Sequence, residues 1–142
     1  MSEENVEVVR RAIAAWNDGD ISIYRDLYAA DVVAEAGPLG LEGMGAIHGP
    51  DAIMAIYETM RDSFERDELI ADHALANDQS LVVPVRWRGV ARGTTTMVEQ
   101  RLFIGYRFRD GRITFQGWYD SVEKACEAVG LSPAATHVEF AG

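Results

Sequence analysis

The sequence predicts an α+β domain in which helices gather on one face of an antiparallel sheet. Three observations carry this prediction. Apolar residues recur at helical spacing in the segments around residues 6–16, 23–28 and 53–64, whereas from Leu69 onward they follow the two-residue spacing of strands. Asp110-Gly111 is a pair that tolerates positive φ at both positions of a tight hairpin. At 142 residues the chain is long enough for one hydrophobic core.

The opening segment predicts two short amphipathic helices. The first carries an apolar stripe at Val6, Val9, Ile13 and Trp16. Asn17-Asp18-Gly19 interrupts that pattern, and Asp20 is a suitable cap for the second helix. The second helix carries Ile23, Tyr24, Leu27 and Tyr28.

The middle of the chain predicts a strand, a loop and a third helix. Residues 31–36 are short and apolar enough for a strand, and the segment 37–49 holds five glycines, so we expect a mobile loop there. Pro50 and Asp51 are residues that favour a helix start. The apolar face of this helix is predicted at Ile53, Ile56, Tyr57, Met60 and Phe64.

A meander and a final helix follow. Strands are predicted at residues 69–76, 81–91 and 95–109 and, after the Asp110-Gly111 turn, up to Tyr119. Pro84 cannot donate a hydrogen bond to a ladder, so it indicates a bulge or an unpaired edge in its strand. The final helix carries Val122, Ala125, Cys126 and Val129, and Gly130 suits its left-handed end. We therefore predict a single domain over residues 1–132 and a loosely held tail over residues 133–142.

Composition and charge exclude several classes of partner. The 13 Lys and Arg residues against 23 Asp and Glu residues give a formal net charge of -10, which repels nucleic acid phosphates and anionic membranes. The polar N-terminus and the lack of a long apolar run predict a cytoplasmic protein. His48, His73 and His137 lack the spacing of a metal site, and neither a metal nor a cofactor is expected.

Several separated motifs resemble the SnoaL-like polyketide-cyclase family of the nuclear transport factor 2 and ketosteroid isomerase superfamily. The resemblance covers about residues 3–132. The motifs keep the family's order, and they are Ala14-Ala15-Trp16-Asn17-Asp18-Gly19-Asp20, Asp31-Val32, His48-Gly49-Pro50-Asp51-Ala52-Ile53, Asp110-Gly111-Arg112-Ile113 and Glu127-Ala128-Val129-Gly130-Leu131.

This resemblance implies a strongly curved, cone-shaped sheet around an apolar pocket, with three helices on its concave face and a short C-terminal helix. It also implies a homodimer. In the family's enzymes a His on the penultimate strand and an Asp at the end of the last strand often transfer protons. Ungapped alignment from residues 127–131 places Ile104 at the His position and Ser121 at the Asp position, so that pair is missing in this register.

Counting outward from the Asp110-Gly111 turn assigns side chains to two faces of the last hairpin. The apolar face is predicted to line the pocket with Leu102, Ile104, Tyr106, Phe115 and Tyr119, below Trp16 and Tyr28 from the opening helices. The mixed face, predicted to form a subunit interface, holds Glu99, Arg101, Phe103, Gln116 and Trp118.

Asp120 is the candidate catalytic residue, and the register decides its role. Without a bulge it points away from the pocket and pairs with Arg101, or it caps the final helix as Ser121 also can. A bulge at Gly117 exchanges the faces and turns the carboxylate inward, where it suits proton transfer.

Two further groups of charged residues are interpreted as surface. The acidic residues Asp62, Glu65, Asp67 and Glu68 are expected to be solvated. Arg86, Arg88 and Arg92, which interleave with Trp87 on a strand, are expected to pair with carboxylates or to hold an anionic substrate.

Two hypotheses for function follow, and the sequence leaves the enzyme question open between them. The first is a pocket for a small hydrophobic molecule with one polar group, in an isomerase, cyclase or hydrolase that uses acid-base chemistry or in a binding protein descended from one. The second is a non-catalytic association module that dimerises through the mixed face.

Overall fold

The computed structural model describes residues 2–35, 45–132 and 134–140. It contains four helices in this part of the chain: α1 (Ser2–Asp18), α2 (Tyr24–Leu27), α3 (Pro50–Asp62) and α4 (Val122–Val129). The expected mobile loop at residues 37–49 lies mostly outside the described residues. Its last part, Ile47–His48, forms the short strand β2.

A curved, unclosed sheet of eight strands forms the rest of the described chain. Besides β2 it contains β1 (Tyr28–Glu35), β3 (Phe64–Ala71), β4 (His73–Ala76), β5 (Ser80–Ala91), β6 (Met97–Arg109), β7 (Arg112–Tyr119) and β8 (Thr136–Glu139). The strand order is β2-β1-β7-β6-β5-β4-β8, and β3 pairs with β5 beside β4. The predicted α+β class is confirmed.

One strand pair differs from the predicted antiparallel arrangement. β1 runs parallel to β7, with Val33 opposite Phe115 and Ala34 opposite Gln116, so the sheet is mixed. A parallel neighbour requires a long crossover, and the chain between β1 and β7 supplies one because it includes α3 and five intervening strands. β7 is thereby an inner strand of the sheet, paired with β1 on one side and with β6 on the other.

The predicted strand at residues 69–76 is divided into two. β3 begins at Phe64, ends at Ala71 and pairs with the second half of β5, whereas β4 pairs with the first half. The pairing on this side of β5 is interrupted between Val82 and Val85, and Pro84 lies in that interruption. This agrees with the unpaired edge expected from a proline.

Two apolar clusters lie on opposite faces of the sheet. The larger one joins α1, α2 and α3 to the concave face, and the alternating residues Leu81 and Val83 of β5 belong to it. The smaller one lies under α4, where Val82 packs with Ala125, Cys126 and Val129. The Ser121 hydroxyl caps α4 by accepting a 3.2 Å hydrogen bond from Lys124 N, and Gly130 ends the helix at φ 71°.

The C-terminal segment contains a strand that the sequence analysis did not predict. β8 pairs with β4 in antiparallel register, and His137 stacks on His73 with ring centroids 4.3 Å apart. Phe140 N donates a 2.9 Å hydrogen bond to Asp72 O. β8 forms an edge strand of the sheet. The alternation of apolar and polar residues did not predict it, because its four residues are mostly exposed.

Candidate functional site

The β6–β7 hairpin positions the side chains of the site, and its turn forms as predicted. Asp110 and Gly111 have φ values of 53° and 77°, and Arg109 pairs with Arg112. Phe108 pairs with Ile113, which also follows the predicted register. Beyond this point Thr114 is an extra residue, because Arg107 lies opposite Phe115.

This bulge at Thr114 corrects the assignment of faces. Tyr106 pairs with Gln116 and Ile104 with Trp118, instead of with Phe115 and Gly117. Gln116 and Trp118, predicted at an interface, are buried to 5% exposure on the concave side. A one-residue shift moves every later side chain to the other face of a strand.

Phe115 and Tyr119, predicted to line the pocket, lie on the opposite face. Both pack against the cluster under α4, and the Tyr119 hydroxyl donates a 3.1 Å hydrogen bond to Glu35 Oε2. The sequence contained one signal for this arrangement: the predicted register placed Trp118 outward and Gly117 inward, against the usual preference for burying large aromatic rings.

An inner cavity of about 10 Å³ lies between the helices and the concave face. Four predicted pocket residues, Trp16, Tyr28, Ile104 and Tyr106, line it together with Tyr24, Tyr57, Gln116 and Trp118. A cavity of this size has room for about one water molecule. A substrate does not fit in it as the side chains stand.

Gln116 organises the polar groups of the inner cavity. Its Oε1 atom accepts a 2.9 Å hydrogen bond from the Tyr28 hydroxyl, and its Nε2 atom donates a 2.9 Å bond to the Tyr57 hydroxyl. Trp118 Nε1 donates a second bond of 3.0 Å to the same Tyr57 oxygen. A buried amide is costly without partners, and here both of its ends are paired.

Burial raises the pKa of the phenols around this network. The pKa of Tyr57 rises to about 12, because the ionised form would lose its hydration. Burial likewise raises the pKa of Tyr24, Tyr28 and Tyr106. These hydroxyls remain neutral hydrogen-bonding groups near neutral pH.

A larger outer cavity of about 270 Å³ adjoins the inner one. Trp16, Tyr57 and Trp118 line both cavities. The other lining residues come from the end of α3 and from β3, β5 and β6, and they are Met60, Ser63, Phe64, Trp87, Gln100 and Leu102. All three tryptophans of the chain therefore face this space. Of the predicted pocket residues, Leu102 and Trp16 lie here.

The aromatic rings of the outer cavity meet edge to face. The Trp16 and Tyr57 centroids are 5.7 Å apart at an interplanar angle of 85°, and those of Tyr57 and Trp118 are 6.4 Å apart at 77°. Phe64 and Trp87 form a similar pair at 4.7 Å and 84°. Perpendicular rings of this kind are a favourable packing geometry and form walls at angles to one another.

Asp67 accepts hydrogen bonds from two of the tryptophans that line the outer cavity. Its Oδ2 atom accepts hydrogen bonds from Trp16 Nε1 at 2.6 Å and from Trp87 Nε1 at 2.9 Å. Sequence reasoning missed Asp67, which it grouped with a solvated acidic surface, and it missed Trp87, which it grouped with the arginines of β5. The strand register alone does not pair these two residues, because Asp67 lies opposite Gly89 and Trp87 lies opposite Leu69.

Asp120 lies outside both cavities. It is exposed, and Asp120 Oδ1 lies 2.9 Å from Lys124 Nζ. The hydrogen bond from Lys124 lowers the pKa of the Asp120 carboxyl. The structure therefore places this carboxylate at the surface beside α4, although the hairpin does contain a bulge.

The remaining predicted interface residues, Glu99, Arg101 and Phe103, stay on the outer side of β6. Glu99 Oε1 lies 3.4 Å from Arg88 Nε, and Arg101 and Phe103 border a groove of about 360 Å³. Arg101 is directly opposite Arg86 on β5. Asp120 is not the ion-pair partner of Arg101 that the unbulged register predicted.

No carboxylate or histidine is among the described side chains that line the outer cavity. Groups of three or more His, Cys, Asp or Glu side chains with metal-binding proximity are likewise not found within residues 2–35, 45–132 and 134–140. In the same ranges no helix is long and apolar enough to cross a membrane.

Residues 9–116 match the model of the SnoaL-like domain. The chain belongs to the SnoaL-like family. Comparison of the sequence with curated proteins gives no significant match. Many solved structures share the fold of this SnoaL-like chain, which confirms the fold that the sequence motifs implied.

Three of these structures illustrate the range of proteins on this fold. An NTF2-like protein of unknown function from Burkholderia pseudomallei is 21% identical, with a TM-score of 0.73 over 91% of this chain and 98% of that one. A protein with a ketosteroid isomerase-like fold from Catenulispora acidiphila, solved in complex with trimethylamine, is 20% identical, with a TM-score of 0.68 over 92% and 97%. An LEH-like epoxide hydrolase from M. tuberculosis is 16% identical, with a TM-score of 0.69 over 90% of each chain.

Proposed function

We propose that this SnoaL-like protein binds a small, mostly apolar molecule in the outer cavity. The observation that carries the proposal is the cavity of about 270 Å³ whose walls include the rings of Trp16, Trp87 and Trp118. Ligand sites are typically concave and apolar with few polar groups, and this cavity is at the small end of their range. Trp87 is half-buried and offers most of the accessible indole surface, whereas Trp16 and Trp118 are buried to 4% and 5% exposure.

The polar groups of the cavity suit orientation of a ligand. Gln100 and Ser63 are exposed lining residues with donor and acceptor atoms, and the Tyr57 hydroxyl lies at the boundary with the inner cavity. These groups match the expectation of a hydrophobic ligand with one polar end. The complex of the Catenulispora acidiphila protein with trimethylamine supports a small-molecule site on this fold.

Binding without acid-base turnover is the form of the proposal that the geometry favours. The lining residue that titrates is Tyr57, whose pKa is about 12, so it is a poor general base near neutral pH. Asp120 and its partner Lys124 lie at the surface instead. One protein of similar fold is an epoxide hydrolase. Hydrolysis of an epoxide is therefore the alternative outcome that the experiment below must distinguish from binding.

Calorimetry with a probe panel tests the proposal. The panel combines uncharged ring compounds, from cyclohexanone to naphthol, with small amines and small epoxides. We expect saturable binding of at least one member, and we expect Ser63→Trp, which places a large ring at the cavity, to weaken it about tenfold or more. Thr59→Trp is the matched control, because Thr59 is an exposed residue one turn earlier on α3 and does not line the cavity.

Two results would count against this function. Equal affinities for the Ser63→Trp and Thr59→Trp variants would place the binding elsewhere, and no binding by any panel member would remove the proposal. Turnover of an epoxide, seen by product analysis, would replace binding with hydrolysis.

A second candidate function, homodimerisation through the outer face of β5 and β6, is favoured by one observation. Arg86 and Arg101 are directly opposite each other, and neither forms an ion pair with a carboxylate of the described residues. Like charges in such positions destabilise a strand pair. Carboxylates from a second copy of this acidic chain would relieve the repulsion.

The mass in solution tests the dimer. Sedimentation of the wild type should give twice the chain mass of 15.7 kDa, and Arg101→Glu should shift the protein toward the monomer. A wild-type monomer at all protein concentrations would end this candidate without affecting the ligand site.

A further inference from the structure

We propose that the ligand of the outer cavity is a small organic cation with a substituted ammonium group. This inference rests on the proposed function, because it names the class of ligand for the same cavity. It is carried by the three indoles that line the cavity and by the carboxylate that two of them share.

The walls of the outer cavity are of the type that attracts cations. The face of an aromatic ring carries negative potential, and tryptophan attracts a cation more strongly than tyrosine or phenylalanine does. Trp16, Trp87 and Trp118 all line the cavity, and Tyr57 and Phe64 add two more rings. Neighbouring rings meet at 77–85°, so they do not stack face to face on one another.

Asp67 increases this attraction. Two indole N–H groups donate to its Oδ2 atom at 2.6 Å and 2.9 Å, and these are hydrogen bonds to an anionic acceptor. Hydrogen bonds polarise the groups that form them, so the Trp16 and Trp87 rings gain negative potential on their faces. Asp67 does not itself line the cavity, so its charge acts on a ligand through the two indoles.

The charge of Asp67 is not neutralised by a salt bridge to a described residue. Both of its Oδ2 partners are neutral indoles. The nearby guanidinium of Arg88 pairs with Glu68 and Glu99. The described lining of the cavity contains no Lys or Arg.

Trp16 already holds a cation within the folded protein. The guanidinium carbon of Arg61 lies 5.0 Å from the Trp16 ring centroid, and Arg61 Nη1 donates a 3.1 Å hydrogen bond to Trp16 O. The formal net charge of -10 also raises the local concentration of cations around the protein. A neutral apolar ligand would gain contact area from the rings but nothing from Asp67.

Choline and its uncharged carbon isostere, 3,3-dimethylbutan-1-ol, separate these possibilities. The two molecules have nearly the same shape and differ in the charge of one central atom. Titration of the wild-type protein, followed by calorimetry, should give an affinity for choline about tenfold or more above that for the isostere, which corresponds to about 1.4 kcal/mol. This comparison needs no variant, so it does not depend on the folding of a mutant.

Asp67→Asn then tests the source of the preference. The amide oxygen still accepts from the indoles, but the charge is removed, so the choline-to-isostere ratio should fall at least threefold, roughly 0.65 kcal/mol. Asp78→Asn is the control, because it changes the net charge equally at an exposed residue whose carboxylate accepts no hydrogen bond from the indoles of the cavity, and it should leave the ratio unchanged.

The possible outcomes distinguish the proposal that the ligand is a cation from the proposal that the cavity is a ligand site. If the isostere binds as tightly as choline or more tightly, the proposal of a cationic ligand is overturned, and the proposal of an apolar ligand site remains. An unchanged ratio in Asp67→Asn overturns the role of the carboxylate. If choline does not bind while an uncharged ring compound of the calorimetry panel does, the proposal of a cationic ligand is also overturned. If no probe binds, the proposed function itself is overturned.

Discussion

Trp118 donates its indole N–H to the Tyr57 hydroxyl at 3.0 Å, at the point where the inner and outer cavities meet. The same oxygen accepts from Gln116 Nε2, so it satisfies two buried donors. This connection links the floor of the ligand cavity to the bulged strand β7. Changes at Tyr57 should therefore affect both stability and the shape of the cavity.

Replacing Tyr57 by Phe should destabilise the protein strongly. The substitution keeps the ring but leaves the donors of Gln116 and Trp118 without their acceptor. We expect the free energy of unfolding to fall by roughly 2–4 kcal/mol, since each unpaired buried donor costs about 1–3 kcal/mol. Denaturant titration followed by circular dichroism measures this change.

Tyr119→Phe is the matched control for that experiment. The Tyr119 hydroxyl makes one hydrogen bond, to the exposed Glu35, so its loss should cost less than about 1 kcal/mol. Equal losses in the two variants would contradict the role given to Tyr57.

The tyrosines should resist ionisation until the protein unfolds. The chain has five, and the pKa of each is raised, with burial as the largest cause. Unfolded tyrosines release protons near pH 10, whereas folded Tyr57 does so at about 12. Stability from this difference is complete below about pH 10 and is lost as the pH rises from there through about 12.

Tyrosinate absorbance and far-ultraviolet circular dichroism, recorded over the same alkaline titration, test this expectation. The two signals should change together above pH 10. A phenol that titrates at its ordinary pKa while the dichroism stays native would show that at least one ring is not held as described.

Asp120 should behave as a surface carboxylate. Carboxyl NMR should give it a pKa below the ordinary value, and Lys124→Met should return the pKa toward that value, because the hydrogen bond from Lys124 is the largest cause of the shift. Any stability from this pair is present above the ordinary pKa and is lost as the pH falls through the lowered one. A raised pKa would indicate a buried carboxylate and would reopen the catalytic reading of Asp120.

The bulge at Thr114 should be essential for the arrangement of β7. Deleting Thr114 shifts the register by one residue, so Gln116 and Trp118 would exchange faces with Phe115 and Tyr119. We expect the free energy of unfolding to fall by about 4 kcal/mol or more, as for other losses of a buried network. Thermal unfolding followed by tryptophan fluorescence measures the effect.

Thr114→Ala is the control for the deletion. It removes the side chain but keeps the extra residue, and it should change stability by less than about 1 kcal/mol. Wild-type stability and emission in the deletion variant would show that the bulge does not set the faces.

Periodicity and turn chemistry predicted the elements of the fold well where the signals are local. Three short-range features formed as the residues indicated, namely the Asp110-Gly111 turn, the Gly130 helix end and the interruption of pairing at Pro84. The parallel pairing of β1 with β7 and the pairing of β8 with β4 depend on contacts across the whole chain. Local pattern does not specify such neighbours.

The site was predicted in part, and its errors have one main cause. Trp16, Leu102, Ile104, Tyr28 and Tyr106 lie around the cavities, because their positions do not depend on the register after Thr114. Phe115, Gln116, Trp118 and Tyr119 were assigned to the wrong faces, because Thr114 gave no signal of a bulge. Asp67 was overlooked because its role depends on two indoles that are 20 and 51 residues away in sequence.

The central claim is that the outer cavity, with its three tryptophans, is the ligand site. Two-dimensional proton–nitrogen NMR of the indole N–H groups tests it most directly, since each tryptophan of the chain lines this cavity. During titration with choline, the indole signals of Trp16, Trp87 and Trp118 should shift together and saturate with one dissociation constant, while the amides of Asp120 and Lys124 stay in place. Indole signals that remain fixed while surface amides shift would contradict the account.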